Sequence, residues 1–261
     1  MRIKEIVSAL ERSAPLALQE SWDNCGLQVG QLDVEARGVL VSLDVTEQVV
    51  VEAVSRGCNV VVSHHPLLFH GLKRLTGASD VERAVIQAVK HDVTVVSMHT
   101  NLDNAPGGVN WKIAEKLGLC DVDFFARKNV AGIDCGSGVV GLLPQPLEAS
   151  DFVALVKQTL EARCAHCNDL LKRPVRKVAI CGGAGDFLLS DAIREGADAF
   201  ITGEMHYHQY FGHEQEIQIC VVGHWETEHF TSELLRDIIR RECPGVVCEL
   251  ADTQTNPVKA I

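Results

Sequence analysis

Apolar and polar positions alternate along this chain in blocks that predict strands separated by helices. Residues 39–43, 60–62 and 93–96 are short apolar runs rich in β-branched side chains, which is typical of buried strands. Between them, residues 46–57 and 81–90 place apolar side chains at helical spacing, and a glycine closes the first of these segments. This order of strand and helix predicts an α/β fold with a mostly parallel sheet.

The same pattern returns in the second half of the chain. Residues 39–57 and 178–196 have equal spacing from the start of a strand to a helix-ending glycine, and a further apolar strand follows each of them. A weak internal duplication explains this match, and two βαβ units of ordinary length would give the same spacing without it.

The pattern also divides the chain into domains. We predict a first α/β domain at 1–125, a second at 126–215, and a C-terminal strand and helix at 216–261 that pack back on the first domain. A glycine-rich turn cluster at 132–138 marks the change between the domains.

Three of the predicted strands end in histidine, and carboxylates follow two of them. In open α/β sheets the carboxyl ends of the strands are where ligands bind. Imidazole and carboxylate groups together are the ligands of divalent metals such as zinc, iron, manganese and cobalt. The predicted ligands are His64, His65, Asp103, His224 and Glu228.

Five ligands exceed what one catalytic ion takes from protein, which favours two ions that share a carboxylate. Either Asp103 or Glu228 can be the bridge. His224 and Glu228 share one face if residues 225–235 form a helix. Each group also has an ordinary interpretation, such as a turn aspartate or a first-turn glutamate, and His99 is interpreted as an orienting group. The C-terminal segment needs partners from the first half, so we expect the site at a cleft between two related α/β domains.

Several further groups have two interpretations each. The turn at 181–186 is glycine-rich and can bind an anion at a helix N-terminus, or it is a tight strand–helix connection. Glu204 and His206 follow the equivalent strand end of the second copy and are candidates for substrate contact or proton transfer, or they form a polar rim. Cys164 and Cys167 form a CxxC pair, which alone is a weak signal for a metal or redox site.

Composition narrows the classes of function. The chain has 35 acidic and 24 basic residues and a net charge of −11, which disfavours binding to nucleic acid. No apolar stretch is long enough for a membrane span. The ten cysteines are scattered, as expected of reduced thiols in a cytoplasmic protein.

Taken in order, several motifs resemble one family, the Nif-three-like dinuclear metal-centre proteins, some of which carry the name GTP cyclohydrolase 1 type 2. The similar segments run from one end of the chain to the other. Cys25 stands where the family more often has an aliphatic residue. The segments are Ser21-Trp22-Asp23-Asn24 with 26–30, Ser63-His64-His65-Pro66, His99-Thr100-Asn101-Leu102-Asp103, Gly182-Gly183-Ala184-Gly185, Thr202-Gly203-Glu204, and Gly223-His224 with Thr227-Glu228.

The resemblance implies metal ligands at the five predicted positions, with Glu228 as the bridge. It also implies a short-form member of the family that assembles as a homohexameric ring. Two ions activate water for hydrolysis, so we expect a dinuclear metal-dependent hydrolase of a small molecule, which the family name suggests is a nucleotide or pterin-type ring. The alternative is a non-catalytic ring that binds metal or a partner, and open access to the ions would separate the two.

Overall fold

The computed structural model describes residues 1–259, which divide into two compact units. One unit combines residues 1–105 with 230–259, and the other comprises residues 106–229. Each unit has its own β-sheet with helices packed against it, so the predicted mixed α/β class with two domains is confirmed.

The first segment of the chain alternates strands and helices as its hydrophobic pattern predicts. The Thr46 hydroxyl accepts a hydrogen bond from the amide of Val49 and caps the N-terminus of the second helix. Its elements are α1 (Ile3–Ser13), β1 (Gly26–Val29), β2 (Val39–Ser42), α2 (Glu47–Ser55), β3 (Val60–Ser63), α3 (Asp80–Lys90), β4 (Thr94–Ser97) and α4 (Thr100–Asp103).

The second unit has longer strands at its start and short helices near its end. Its elements are α5 (Val109–Lys116), β5 (Cys120–Val130), β6 (Ile133–Leu147), α6 (Ala149–Thr159), β7 (His166–Cys167), β8 (Val175–Cys181), α7 (Leu189–Arg194), β9 (Ala199–Thr202), β10 (Gln218–Val221) and α8 (His224–Glu228). The chain then returns to the first unit with α9 (Thr231–Glu242) and β11 (Cys248–Leu250).

The sheet of the first unit has the order β1-β4-β3-β2-β11. Strands β4, β3, β2 and β11 are parallel, and β1 is antiparallel at the edge. Because the parallel strands run in the same direction, the residues that follow β3 and β4 emerge at one edge of this sheet. One face of it packs with α2 and α3 around Leu40, Val61 and Val95, which are fully buried.

The sheet of the second unit is mixed and has the order β5-β6-β8-β9-β10-β7. Strands β8, β9 and β10 run parallel to one another, whereas the pairs β5–β6, β6–β8 and β10–β7 are antiparallel. The predicted turn cluster at 132–138 is wrong in extent. The turn is confined to Ala131 and Gly132, which both have positive φ as a two-residue hairpin requires, while Gly136 and Gly138 lie inside β6.

The boundaries of the units differ from the predicted 125 and 215. Strand β5 begins at Cys120 and pairs with β6, so these residues belong to the second sheet. Strand β10 also joins this sheet beside β9 instead of packing on the first domain. Helix α9 packs against α1 and β2 of the first unit. The last two residues of the predicted segment, 260–261, lie outside the described residues.

The two βαβ units that the sequence aligned are also equivalent in register. Val39 pairs with Val60 and Val178 with Ala199, so the crossover has the same length in both. Gly57 and Gly196 both adopt positive φ at the ends of their helices. The corresponding strands therefore place their carboxyl ends in the same way within each sheet.

No helix in the described part of the chain combines the length and apolar character needed to cross a bilayer.

Candidate metal centre

His64 and His65 lie at the carboxyl end of β3, where the backbone turns. The amides of both residues donate to the carbonyl of Leu43, at 3.2 and 3.0 Å. Ser63 anchors the turn because its buried hydroxyl donates to the carbonyl oxygen of His65 and contacts the hydroxyl of Ser97. Two successive imidazoles are thereby held next to each other, with ring centroids 5.0 Å apart.

His99 follows β4 and joins these two histidines. Its ring centroid lies 5.2 Å from that of His64 and 5.4 Å from that of His65. One ligand atom from each of the three rings lies within 4.8 Å of the others, which is close enough for a shared metal ion. From the sequence alone, His99 is interpreted as an orienting group only. Its position after an apolar strand is the same signal that identified His64 and His65.

Each imidazole of this cluster is oriented through its Nδ1 atom. Nδ1 of His64 lies 2.8 Å from the carbonyl oxygen of Met98, and a carbonyl only accepts, so this nitrogen carries the proton. Nδ1 of His65 contacts Asp44 at 2.7 Å. Oriented in this way, a histidine offers Nε2 to a metal, and the Nδ1 partner is the outer contact that metal-ligating histidines usually have.

Asp103 lies at the end of α4, with Oδ1 3.7 Å from Nε2 of the buried His64. Helix α4 starts directly after His99, and the amides of Leu102 and Asp103 donate to the His99 carbonyl. The structure therefore brings Asp103 to the histidine cluster as predicted from the sequence.

Asp23, to which the sequence alone assigns no role, orients His99. Its buried carboxylate accepts hydrogen bonds from Nδ1 of His99 and from the amide and hydroxyl of Thr100. Burial alone would raise the pKa of Asp23, but these bonds and one from the Cys25 thiol outweigh it and hold the pKa far below its usual range. Burial raises the pKa of Cys25 to about 12. In the sequence, only the Ser21–Asn24 motif, which contains Asp23, points to a role for this residue.

In the second unit, His224 and Glu228 form a pair on α8. Nε2 of His224 lies 3.0 Å from Oε2 of Glu228, one helical turn away. Nδ1 of His224 lies 2.8 Å from Oε1 of Glu204, so this histidine too is oriented by a carboxylate. Glu204, which the sequence offers as a candidate for substrate contact, proton transfer or a polar rim, orients His224 in this geometry. His206 is highly exposed, with Nδ1 3.5 Å from Oδ2 of Asp186.

The glycine-rich turn at 181–186 supports α8 rather than presenting an anion site. The amide of Gly182 donates to the side chain of Asn110, that of Gly183 to the Thr227 hydroxyl, and that of Gly185 to the Thr202 hydroxyl. These donors are thus used within the protein, which agrees with the tight-turn interpretation.

Gly183 also makes room for Glu228. It adopts a φ of +60°, and a Cβ atom at this position would overlap with Oε1 of Glu228. Glu228 is 5% exposed, and a buried carboxylate beside an imidazole needs a cation or a hydrogen-bond donor. Oriented imidazoles and a buried carboxylate are chemically suited to a divalent metal such as zinc, iron, manganese or cobalt.

Comparison with known proteins gives one consistent result. The family model described as Duf34/NIF3 (NGG1p interacting factor 3) matches residues 1–257. A GTP cyclohydrolase 1 type 2 homolog from Lactococcus lactis is 32% identical over 263 aligned positions, which cover 98% of each chain. Crystal structures of Staphylococcus aureus protein SA1388 and of a Bacillus cereus protein related to NIF3 each match with a TM-score of 0.90, at 26% and 25% identity, covering 100% of this chain and 99% of theirs.

Proposed function

Since the chain belongs to the Duf34/NIF3 family, we propose that it is a hydrolase that uses two divalent metal ions to act on a small molecule. The observation that carries this proposal is the orientation of the histidines. Nδ1 of His65, His99 and His224 lies against a carboxylate, and Nδ1 of His64 lies against a carbonyl. Histidines that bind metal through Nε2 almost always donate Nδ1–H to such a carboxylate or carbonyl.

The residues that would hold the two ions are His64, His65, Asp103, His224 and Glu228, and the family resemblance implies that Glu228 would be shared by both. Two ions, when bound, lower the pKa of a bound water to about 7 and stabilise charge on the attacking and leaving oxygens. Within the chain, Asp44, Asp23 and Glu204 keep the imidazoles in the correct tautomer and direction. His99 adds a further imidazole beside His64 and His65.

A planar ring fits the surroundings of the first histidine cluster. Trp22 is 60% exposed, and Phe69 is 41% exposed. Their ring centroids lie 5.8 Å apart, and those of Trp22 and His99 lie 6.2 Å apart. Exposed aromatic side chains favour stacking with a heterocycle. This supports a nucleotide or pterin-type substrate, as does the name GTP cyclohydrolase 1 type 2 homolog of the Lactococcus relative.

We extend the proposal to assembly and location. The family resemblance implies a homohexameric ring, which light scattering after gel filtration would test as a mass of six chains. The net charge of −11 opposes nucleic acid as a partner. Ten cysteines scattered along the sequence, as is usual for reduced thiols, support a role in the cytoplasm.

The decisive experiment measures metal per chain by mass spectrometry after identical purification. Wild type, Glu228→Ala, His65→Ala and the control Glu233→Ala, which alters an exposed acid on α9, are compared. We expect about two ions per chain in wild type and Glu233→Ala and a clear loss in the other two variants. The metal-loaded wild type is then assayed against nucleotides, phosphoesters and pterins, with Glu228→Ala as the inactive control.

Two results would contradict the proposal. A wild-type protein that stays empty after reconstitution with zinc, manganese, iron(II) and cobalt has no dinuclear centre. A protein that holds two ions but hydrolyses none of these compounds favours the non-catalytic alternative, a ring that stores metal or binds a partner.

A further inference from the structure

Two cysteines of the second unit lie directly opposite each other in its sheet. Strands β7 and β10 are antiparallel, and Cys167 is the register partner of Cys220. Opposed residues in an antiparallel pair have Cα atoms about 4.5 or 5.5 Å apart. A disulfide spans Cα atoms about 4.4 to 6.8 Å apart, so the backbone holds the two residues at a suitable separation in either kind of pair.

The two thiols are also in contact and chemically unequal. A hydrogen bond from Cys220 and the charge of Lys157 lower the pKa of Cys167, whereas the same hydrogen bond and burial raise the pKa of Cys220. Cys167 is half-buried and reachable, while Cys220 is completely buried.

We propose that Cys167 and Cys220 form a redox-active dithiol site that reacts with low-molecular-weight disulfides and closes reversibly to a cross-strand disulfide. The Cys167 thiolate attacks one sulfur of the external disulfide, forms a mixed disulfide and releases the first external thiolate. Cys220 then attacks the sulfur of Cys167 and expels the second external thiolate, which takes up the proton of Cys220. One external disulfide is reduced to two thiols, and two protein thiols are oxidised to one disulfide.

This pairing differs from the one that the sequence suggests. In the CxxC segment, Cys164 is the neighbour of Cys167 along the chain, yet Cys164 is exposed and lies outside β7. The sheet instead places Cys220 opposite Cys167, from a strand more than fifty residues later. The site does not depend on metal or on the proposed hydrolysis.

Peptide mapping after equilibration with glutathione disulfide tests the proposal. Unreacted thiols are blocked, and the protein is digested with trypsin without reduction. Cys164 and Cys167 fall in the peptide 164–172, and Cys220 falls in 195–236. We expect these two peptides to be joined in wild type and in Cys164→Ser, to be separate in Cys220→Ala and Cys167→Ser, and to separate in wild type after dithiothreitol.

The alternatives give different products. A peptide 164–172 that is two hydrogen atoms lighter means a Cys164–Cys167 disulfide, and glutathione adducts without a joined product mean simple surface modification. Either result, or unchanged thiols, overturns the proposal. Circular dichroism checks that the variants fold. Cys167 is only half-buried, so we expect Cys167→Ser to fold even if Cys220→Ala does not, and this variant alone then provides the negative control.

Discussion

The Asp44 carboxylate contacts the His65 ring and is itself held in place by a second hydrogen bond. Its Oδ1 atom lies 2.7 Å from Nδ1 of His65, and its Oδ2 atom accepts a 2.6 Å hydrogen bond from the hydroxyl of Thr255. Thr255 belongs to the C-terminal tail, which Glu52 ties down through the amide of Thr253. The direction of the His65 ring thus depends on three separate parts of the first unit.

Replacement of Asp44 by alanine should weaken metal binding although Asp44 is not a proposed ligand. Loss of such an outer carboxylate typically costs about 10- to 100-fold in metal affinity. Affinity is measured by competition with a chromogenic chelator. The control is Asp33→Ala, which removes an exposed acid that pairs with Lys4 and should leave affinity unchanged. An unaltered affinity in Asp44→Ala would show that the orientation of His65 does not matter for metal binding.

Alanine substitutions at two glycines of the second unit test whether the turn leaves space for the Glu228 side chain. Gly183 and Gly196 both have positive φ, but a Cβ atom meets Glu228 at Gly183 and meets nothing within 4 Å at Gly196. Alanine at Gly196 should cost about 1 kcal/mol of unfolding free energy, from backbone strain alone. Alanine at Gly183 also clashes with Glu228. We therefore expect it to lower the unfolding free energy by about 2–4 kcal/mol in total and to cause loss of bound metal.

Urea denaturation and metal analysis of both variants check this prediction. Equal stability losses and equal metal contents in Gly183→Ala and Gly196→Ala would mean that Glu228 moves aside freely, and that its position is not fixed by the turn.

Trp22 should bind the substrate ring without affecting the metal. Stacking of a base on an aromatic side chain contributes about 1–3 kcal/mol, so Trp22→Ala should raise the Kd of a bound nucleotide or pterin about 5- to 150-fold. Trp22→Phe keeps an aromatic face and should lose much less. Calorimetry on metal-loaded protein gives both values. The control Phe187→Ala removes an exposed aromatic residue of the second unit. If it weakens binding as much as Trp22→Ala does, stacking at Trp22 is not specific.

Local pattern predicts the elements of this fold well, because each apolar strand and capped helix carries its own signal. It also predicts that His64, His65 and Asp103 come together, since parallel strands end at one edge. Local pattern fails where partners are distant in sequence. The apolar run Ile219–Val221 in β10 would be buried in either sheet, so it does not show which sheet the strand joins. Nothing within 225–235 shows that the helix stops at Glu228 and that a new one begins at Thr231. Asp23 and Asp44 were missed because their partners lie in other segments.

Asp198 is the counterpart of Asn59 in the repeated βαβ unit, and it provides a test by pH. The side chain of Asn59 accepts a hydrogen bond from the amide of Arg37, and Asp198 accepts the equivalent one from the amide of Arg176. Asp198 also accepts from the amide of Lys177. Burial raises the pKa of Asp198, but these amides and the Arg173 guanidinium outweigh it, so the net pKa is lowered.

A carboxyl group whose pKa is lower in the folded state stabilises the protein above its unfolded pKa of about 3.9. This stabilisation is lost as the pH falls through the folded value. In Asp198→Asn, the amide oxygen still accepts from the backbone, but the amide nitrogen faces Arg173 as a second donor. We therefore expect about 1–2 kcal/mol lower stability at pH 7 and a shallower decline in acid.

Urea denaturation between pH 7 and pH 3 measures both effects. The protein is first freed of metal with a chelator, because loss of bound metal in acid would itself lower the stability. Arg173→Gln is the companion variant. It leaves the carboxylate bonded to the two amides, so it should retain part of the acid dependence that Asp198→Asn loses. Wild type and Asp198→Asn curves that run parallel down to pH 3 would show that the Asp198 carboxylate is no more acidic in the folded chain than in the unfolded one.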